Sequence, residues 1–485
     1  MTGEAQRVQT GRMRRLLSVV LPVSCIVAAA CSTAAPAASR PVPRPVRHSS
    51  APSAATPGLS GGVTSRRAGT PFTPWSTYHR TNARSGRVSR SPGTPLHRAW
   101  TRSLGAAVYG EPLVVGTTLI AATEGNKVVG MNARTGHVRW RQSLGTPQPL
   151  SGLPCGDIDP LGITGTPAYD AKTGSVFAVA ETTGGHHTLW ALNAADGQKR
   201  WSRSLDVLAD RNRSAEQERS AVLVEHGRVV VSFGGLAGDC DNYVGYVTST
   251  PTSGHGMTYH YAVPTAREAG MWSPPGPVLG RNGHVYVASG NGAELHGRWD
   301  KSDSVTELSP VKLDRRSVFA PSTWRDDNVR DLDLGTMSPV PVPAAKRIVI
   351  AGKRGVVYLL GEHFHGVGSA MAHLDGCSAF GGAARSGRLV LLPCLFQNRI
   401  RALHVSGSHL SWGWSKTGLY GSPVIAGSRV YVADRSSGDL FVLRLKSGHR
   451  VQRIHAGSLT HFPSEVVDGG MVFVPTLSGI TAFSG

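Results

Sequence analysis

Eight short apolar runs recur along the chain, each ended by a glycine or a polar turn. They read LIAATEG from Leu119, VFAVAET from Val176, VVVSFGG from Val229, VYVASGNG from Val285, IVIAGKRG from Ile348, LVLLPC from Leu389, VYVADRSSG from Val430 and VFVPTLSG from Val472. Runs this short, rich in Val, Ile and Phe, predict buried strands rather than helices. The last four begin 41–42 residues apart and the first five 53–63 apart. A period near 41, stretched by insertions in the first half, predicts a repeat architecture of the propeller kind.

Each run has companions. Before most lies a strand opened by proline, at Pro112, Pro167, Pro277, Pro339 and Pro423. After the first two comes a third strand with a tight turn, in VVGMNARTGHVRW and LWALNAADGQKRW, and a fourth strand closes on Trp140, Trp201, Tyr259 or Trp412. Four strands per unit and eight units predict an all-β, eight-bladed propeller. A tryptophan at the outer strand suits wedging between blades, with its N–H near a backbone acceptor. The last unit ends after its third strand, Ile480 to Phe483, while a fourth-strand pattern around Trp100 stands ahead of the first unit. Pairing the two would complete the last blade and remove an open edge.

Composition supports this reading. Gly is 59 of 485 residues and charged residues are only 17%, which excludes coiled coils and long-helix bundles. The formal charge is +20, but residues 1–98 carry most of it. Without a basic stripe in the body, nucleic acid is not an expected partner.

The N-terminus reads as an export segment. Arg12, Arg14 and Arg15 precede an apolar stretch, Leu16 to Ala30, then Cys31. Residues 1–31 are expected to be a signal peptide. Cys31 is the candidate lipidation site for a membrane anchor, with free secretion and an uncleaved anchor as alternatives. Residues 32–71 are Pro, Ala, Ser and Arg rich and read as a disordered tether. Residues 72–485 form the propeller, expected to be extracytoplasmic and monomeric. Export fits the four remaining cysteines, Cys155, Cys240, Cys377 and Cys394, which allow three disulfide pairings. The short gap between Cys377 and Cys394 fits neighbouring strands of one hairpin, and Cys155–Cys240 would then clip two adjacent units.

The turns NARTGHVRW and NAADGQKRW, with the entry segment from Trp75 to Gly86, resemble the PQQ-binding-like (quinoprotein alcohol dehydrogenase-like) eight-bladed propellers, a group that includes an outer-membrane assembly lipoprotein. The resemblance implies a fold shared by enzymes and scaffolds. It implies a calcium-ligating role for Asn291 in SGNG, a position after the catalytic aspartate for Asp331-Leu332-Asp333-Leu334-Gly335, and a quinone contact for Lys353 in GKRG. The chain departs from the pattern in having no adjacent cysteine pair, Trp324-Arg325-Asp326-Asp327 in place of a Trp-Asp-x-Asp, and no glutamate matching the first calcium ligand.

A second candidate is acidic. If Cys155 and Cys240 pair, Asp157, Asp159, Asp239 and Asp241 come together and could hold Ca²⁺. His363, His365 and His373 have no serine in a nucleophile-elbow setting, so no hydrolase is expected. Two function classes follow. One is a non-catalytic binding or scaffold propeller without a cofactor, holding a protein or cell-envelope polymer. The other is a PQQ- and calcium-dependent oxidoreductase acting on an alcohol or sugar.

Overall fold

The apolar runs become strands that are covered on both faces. Thr118–Thr123 and Met471–Thr476 are buried at every position, and Ser175–Thr182 at all but its last. Such continuous burial needs a neighbour on each side of the sheet. The fourth strands behave differently. His409–Thr417 alternates exposed and half-buried positions along its whole length, and none is fully buried.

The computed structural model describes residues 70–485, and the expected signal peptide, Cys31 and nearly all of the tether lie outside the described residues. The strands form eight antiparallel sheets of four strands, some with one added strand, giving eight blades in chain order. The last blade contains His97–Ser103 as its fourth strand, paired antiparallel with Gly479–Ser484 from Ser103↔Gly479 to His97↔Ser484. Among the first three blades, and among the last three, the first strands of neighbouring blades touch one another.

Tryptophans dock four of the eight blades onto the next. An added Cβ on Gly136, Gly197, Gly254 or Gly448 would collide with the ring of Trp100, Trp140, Trp201 or Trp414 respectively. Each glycine turns the chain between the third and fourth strands of the following blade, with φ between +66° and +77°. Only glycine combines that backbone with so close a ring. Trp100 Nε1 donates to Ala133 O at 3.1 Å and Trp414 Nε1 to Leu445 O at 2.9 Å. In the sixth blade the docking residue is Trp414 rather than Trp412, whose Nε1 donates backwards to Asp375 O at 3.0 Å. The register shift between Arg401 and Leu403 places an extra residue between the two tryptophans, which turns them to opposite faces.

The entry segment plugs the axis. Trp75 exchanges two backbone hydrogen bonds with Val114 in the first blade. Tyr169 N donates to Ser76 O, Leu279 N to Asn82 O, Arg385 N to Ser85 O and Ile425 N to Gly86 O, at 2.7–2.9 Å. Arg84 is buried and donates to Pro277 O at 3.0 Å and to Ala221 O and Val222 O at 3.3 Å. These partners are residues within or beside the first strands, so one segment ties the centres of six blades together.

Both disulfides are formed. Cys155–Cys240 joins the segment after the first blade to a loop of the third, with Cα atoms 6.2 Å apart. Cys377–Cys394 has Cα atoms 4.8 Å apart. Cys377 lies in the segment leading into the sixth blade rather than on a paired strand, so that bridge does not span a hairpin.

Candidate functional site

The segments that lead into the first strands, and the turns between second and third strands, surround a funnel of about 970 Å³ on one face. Trp272, Phe380, Tyr420 and Phe462 line it, each a few residues ahead of the first strand of its blade. Phe380 and Phe462 are nearly parallel at 6.0 Å, and Trp272 lies 6.2–6.4 Å from both.

Asp333 is the hub of one wall. Its Oδ1 accepts from Asn291 N at 2.8 Å and its Oδ2 accepts from Trp272 Nε1 at 3.3 Å. Lys353 Nζ lies 2.9 Å from Asp333 and 2.5 Å from Asp331. Burial works against the Lys353 ammonium, but Asp333 and Asp331 outweigh it and hold its pKa above the ordinary lysine value. Behind Asp333, Asp303 is buried and its Oδ1 accepts from Leu334 N at 3.0 Å. Burial, then the Asp333 charge, push the Asp303 carboxyl far up.

Lys353 sits in the turn between Arg347–Ala351 and Val356–Leu360, and Asn291 follows Val285–Ala288. Both face the funnel, in adjacent blades, although they are 62 positions apart. The Asn291 side chain points toward Glu268, with Nδ2 to Oε2 at 3.5 Å.

The four rim aspartates are not gathered into a metal site. Asp157 faces His461 at 3.3 Å. Asp159 accepts from Leu150 N at 3.1 Å, Asp239 from Tyr243 Oη at 2.5 Å and Asp241 from Asn212 Nδ2 at 2.5 Å. Among the described residues, no group of three or more His, Cys, Asp or Glu is placed to hold a metal ion. The disulfide aligns the two loops, but local hydrogen bonds turn the carboxylates apart. Asp157 and Asp239 still line the funnel.

Sequence reasoning missed Trp272, Arg219 and Glu268. The signal for the first was present: an aromatic residue recurs shortly before the first strand in several units. Arg219 carried no signal, because its meaning comes from what surrounds it. Its guanidinium lies 5.2 Å from the Phe462 ring and 5.8 Å from the Trp272 ring.

Comparison with known proteins follows this geometry. Residues 59–334 match the family model described as outer membrane protein assembly factor BamB. No curated protein matches the sequence. The quinohemoprotein alcohol dehydrogenase of Comamonas testosteroni superposes with a TM-score of 0.67 at 16% identity, covering 84% of this chain and 80% of that one. A europium-containing methanol dehydrogenase gives 0.65 at 14% identity, covering 85% and 98%. BamB from Moraxella catarrhalis gives 0.55 at 16% identity, covering 80% and 98%. At such identities these structures share the fold alone. The family model, in contrast, spans more than half of the chain, and the chain belongs to that PQQ-like β-propeller family.

Proposed function

We propose that the chain is an exported, non-catalytic binding propeller that holds a protein or cell-envelope partner on its funnel face. In this reading residues 1–31 direct export, residues 32–71 tether the chain and residues 72–485 bind. Cys31 supplies the lipid anchor. The two disulfides suit an oxidising compartment outside the cytoplasm.

The observation that carries this reading is the funnel mouth. Val329 is 60% exposed and Phe396 61%, with Leu295 beside Val329 at 37%. Phe396 packs on Phe380 at 5.1 Å, so the apolar rim continues into the aromatic wall. Large apolar side chains grouped around a concave opening mark an interaction surface.

The test is photo-cross-linking in the cells that make the protein. A benzophenone side chain at position 329 or 396 should give a discrete adduct. The same group at Met257, 68% exposed in a turn on the opposite face, should not. Absence of adducts at 329 and 396, or equal labelling at 257, would remove this reading.

A second reading, the PQQ- and calcium-dependent oxidoreductase, is favoured by the convergence of Trp272, Asn291 and Lys353 on Asp333. The donor set argues against it. Asp331 and Asp333 both face the Lys353 ammonium, and the Asn291 amide faces Glu268. These residues do not fit a calcium ion, whose six to eight oxygen ligands need free carboxylates. Saturable one-to-one binding of PQQ with Ca²⁺, lost in Lys353→Ala, would establish this second reading, and absence of binding would remove it.

A further inference from the structure

The funnel has two poles on one aromatic floor. Arg219 makes no hydrogen bond or ion pair among the described residues and is held only against the Trp272 and Phe462 rings. Arg435 also lines the funnel without an ion-pair partner among the described residues. The acid in that sector, Asp157, is turned to His461. Among the funnel-lining residues, two guanidinium groups therefore share one carboxylate there.

The other sector is the reverse. Asp239, Glu268, Asp331 and Asp333 line the funnel with only Arg267 and Lys353 to balance them. Lys353 engages Asp331 and Asp333, and Arg267 engages Glu268 at 2.9 Å. The crowding is felt: burial, and then the charges of Asp333 and Asp331, raise the Asp239 pKa. Trp272 spans the two sectors. Its ring meets Arg219, and its Nε1 donates to Asp333.

A guanidinium without an acceptor and a carboxylate cluster short of cations, on one funnel wall, can both be completed by a ligand that carries an anionic and a cationic end. We propose that the funnel binds a short zwitterionic peptide, with its carboxylate at Arg219, its ammonium at the Asp331–Asp239 sector and an apolar side chain on Trp272. A tripeptide spans about 10 Å between its termini, enough to reach from one side of an indole to the other. A ligand carrying one charge would leave one pole unmet. This inference rests on the binding reading above and names its ligand class.

The test is calorimetric titration of the full chain with the tripeptide Ala-Phe-Ala, its N-acetylated form, its C-amidated form and the doubly capped form. The free tripeptide should bind saturably, one per chain. Either cap should weaken binding about tenfold, the worth of one charge-assisted contact. Arg219→Met should weaken the free peptide as amidation does, and amidation should then cost that variant nothing more. Asp331→Asn should stand in the same relation to acetylation. An unchanged melting temperature would show that each variant is folded. Equal binding of free and doubly capped peptide would overturn the two-pole inference while leaving an apolar binding funnel. No binding of any form would also overturn it, and the cross-linking result at positions 329 and 396 would then decide the binding reading separately.

Discussion

Ser464 Oγ donates to Glu111 Oε2 at 2.5 Å, joining the entrance of the last blade to that of the first across the seam of the ring. Glu111 also accepts from His79 N at 2.9 Å and from Trp75 Nε1. One buried carboxyl thus ties the ring closure to the axial plug.

That carboxyl makes stability depend on pH. Burial pushes the Glu111 pKa up to about 8, and burial does the same for Glu124 and Glu465. An unfolded glutamate titrates at about 4.3. Between these values the folded chain holds more protons than the unfolded chain, so stability falls as pH rises from about 4.5 to 8, by up to about 1.4 kcal/mol per pH unit for each group. His187 acts in the same direction. Burial opposes its charge, but Glu181 and Asp206 raise its pKa to about 10. Its stabilisation is present below the unfolded value of about 6.5 and is lost as pH rises through about 10. The urea midpoint should therefore decline from pH of about 5 to about 8.5, and Glu465→Gln should make the decline shallower. A flat or rising profile would contradict this account.

The docking of tryptophan on glycine can be isolated from backbone strain. Gly197 and Gly227 have φ of +76° and +70°, but only the first meets a ring, that of Trp140; Gly227 has open space around it. Alanine at either position costs about 1 kcal/mol for the left-handed backbone. Gly197→Ala should cost about 1–3 kcal/mol more, because the methyl overlaps the indole. Equal losses in urea unfolding would show that the wedge contributes nothing.

The fold was legible because its strands obey a simple rule. Val229–Val231 or Val472–Val474 read as apolar runs since blades cover both faces, and the turn glycines Gly136 and Gly197 each stand four residues before Trp140 and Trp201. The choice between Trp412 and Trp414 was not legible, because a bulge decides which faces the next blade. The funnel was legible in part. Asn291 and Lys353 stood out by family resemblance, and the structure brings both to Asp333. Trp272 belonged to a recurring aromatic that was there to be read, but Arg219 had no such signal, since a funnel is assembled from loops of seven blades and no local pattern encodes that convergence. The aspartates around Cys155 and Cys240 looked like a cluster for the opposite reason. Sequence proximity to a disulfide fixes where loops lie, not where Asp159 and Asp241 point.

The plug should be a stabilising part rather than a passive leader. Arg84 supplies hydrogen bonds to three carbonyls that border the third and fourth blades. Arg84→Met keeps the bulk and removes the donors. With buried carbonyls left unmet at about 1–3 kcal/mol each, partly relieved by relaxation, a loss of about 3 kcal/mol is expected. Amide exchange should quicken at 221–225 and 278–279 and stay slow in the seventh blade. Unchanged exchange in the first two segments would show that the plug does not stitch the blades.

The Cys155–Cys240 bridge closes a loop 85 residues long, which contains the whole second blade, whereas Cys377–Cys394 closes one of 17. If a disulfide acts by restricting the unfolded chain, stabilisation grows with the logarithm of loop length, and the first bridge should contribute about 1.4 kcal/mol more than the second. Packing works the other way on removal. Cys377 and Cys394 are fully buried while the other pair is half-buried, so replacing the second pair by alanine adds a cavity cost. Reduction without substitution avoids that cost. With a mild thiol reductant, Cys155 and Cys240 should be reached first, and selective alkylation should find them before Cys377 and Cys394. The chain opened at that one bridge should lose about 4–5 kcal/mol in urea unfolding. Its loop at 236–241 forms the funnel rim beside Asp239, so exchange there should rise before the blades open. Loss of rim protection together with every blade, in a single step, would mean instead that the bridge holds the ring and not the site.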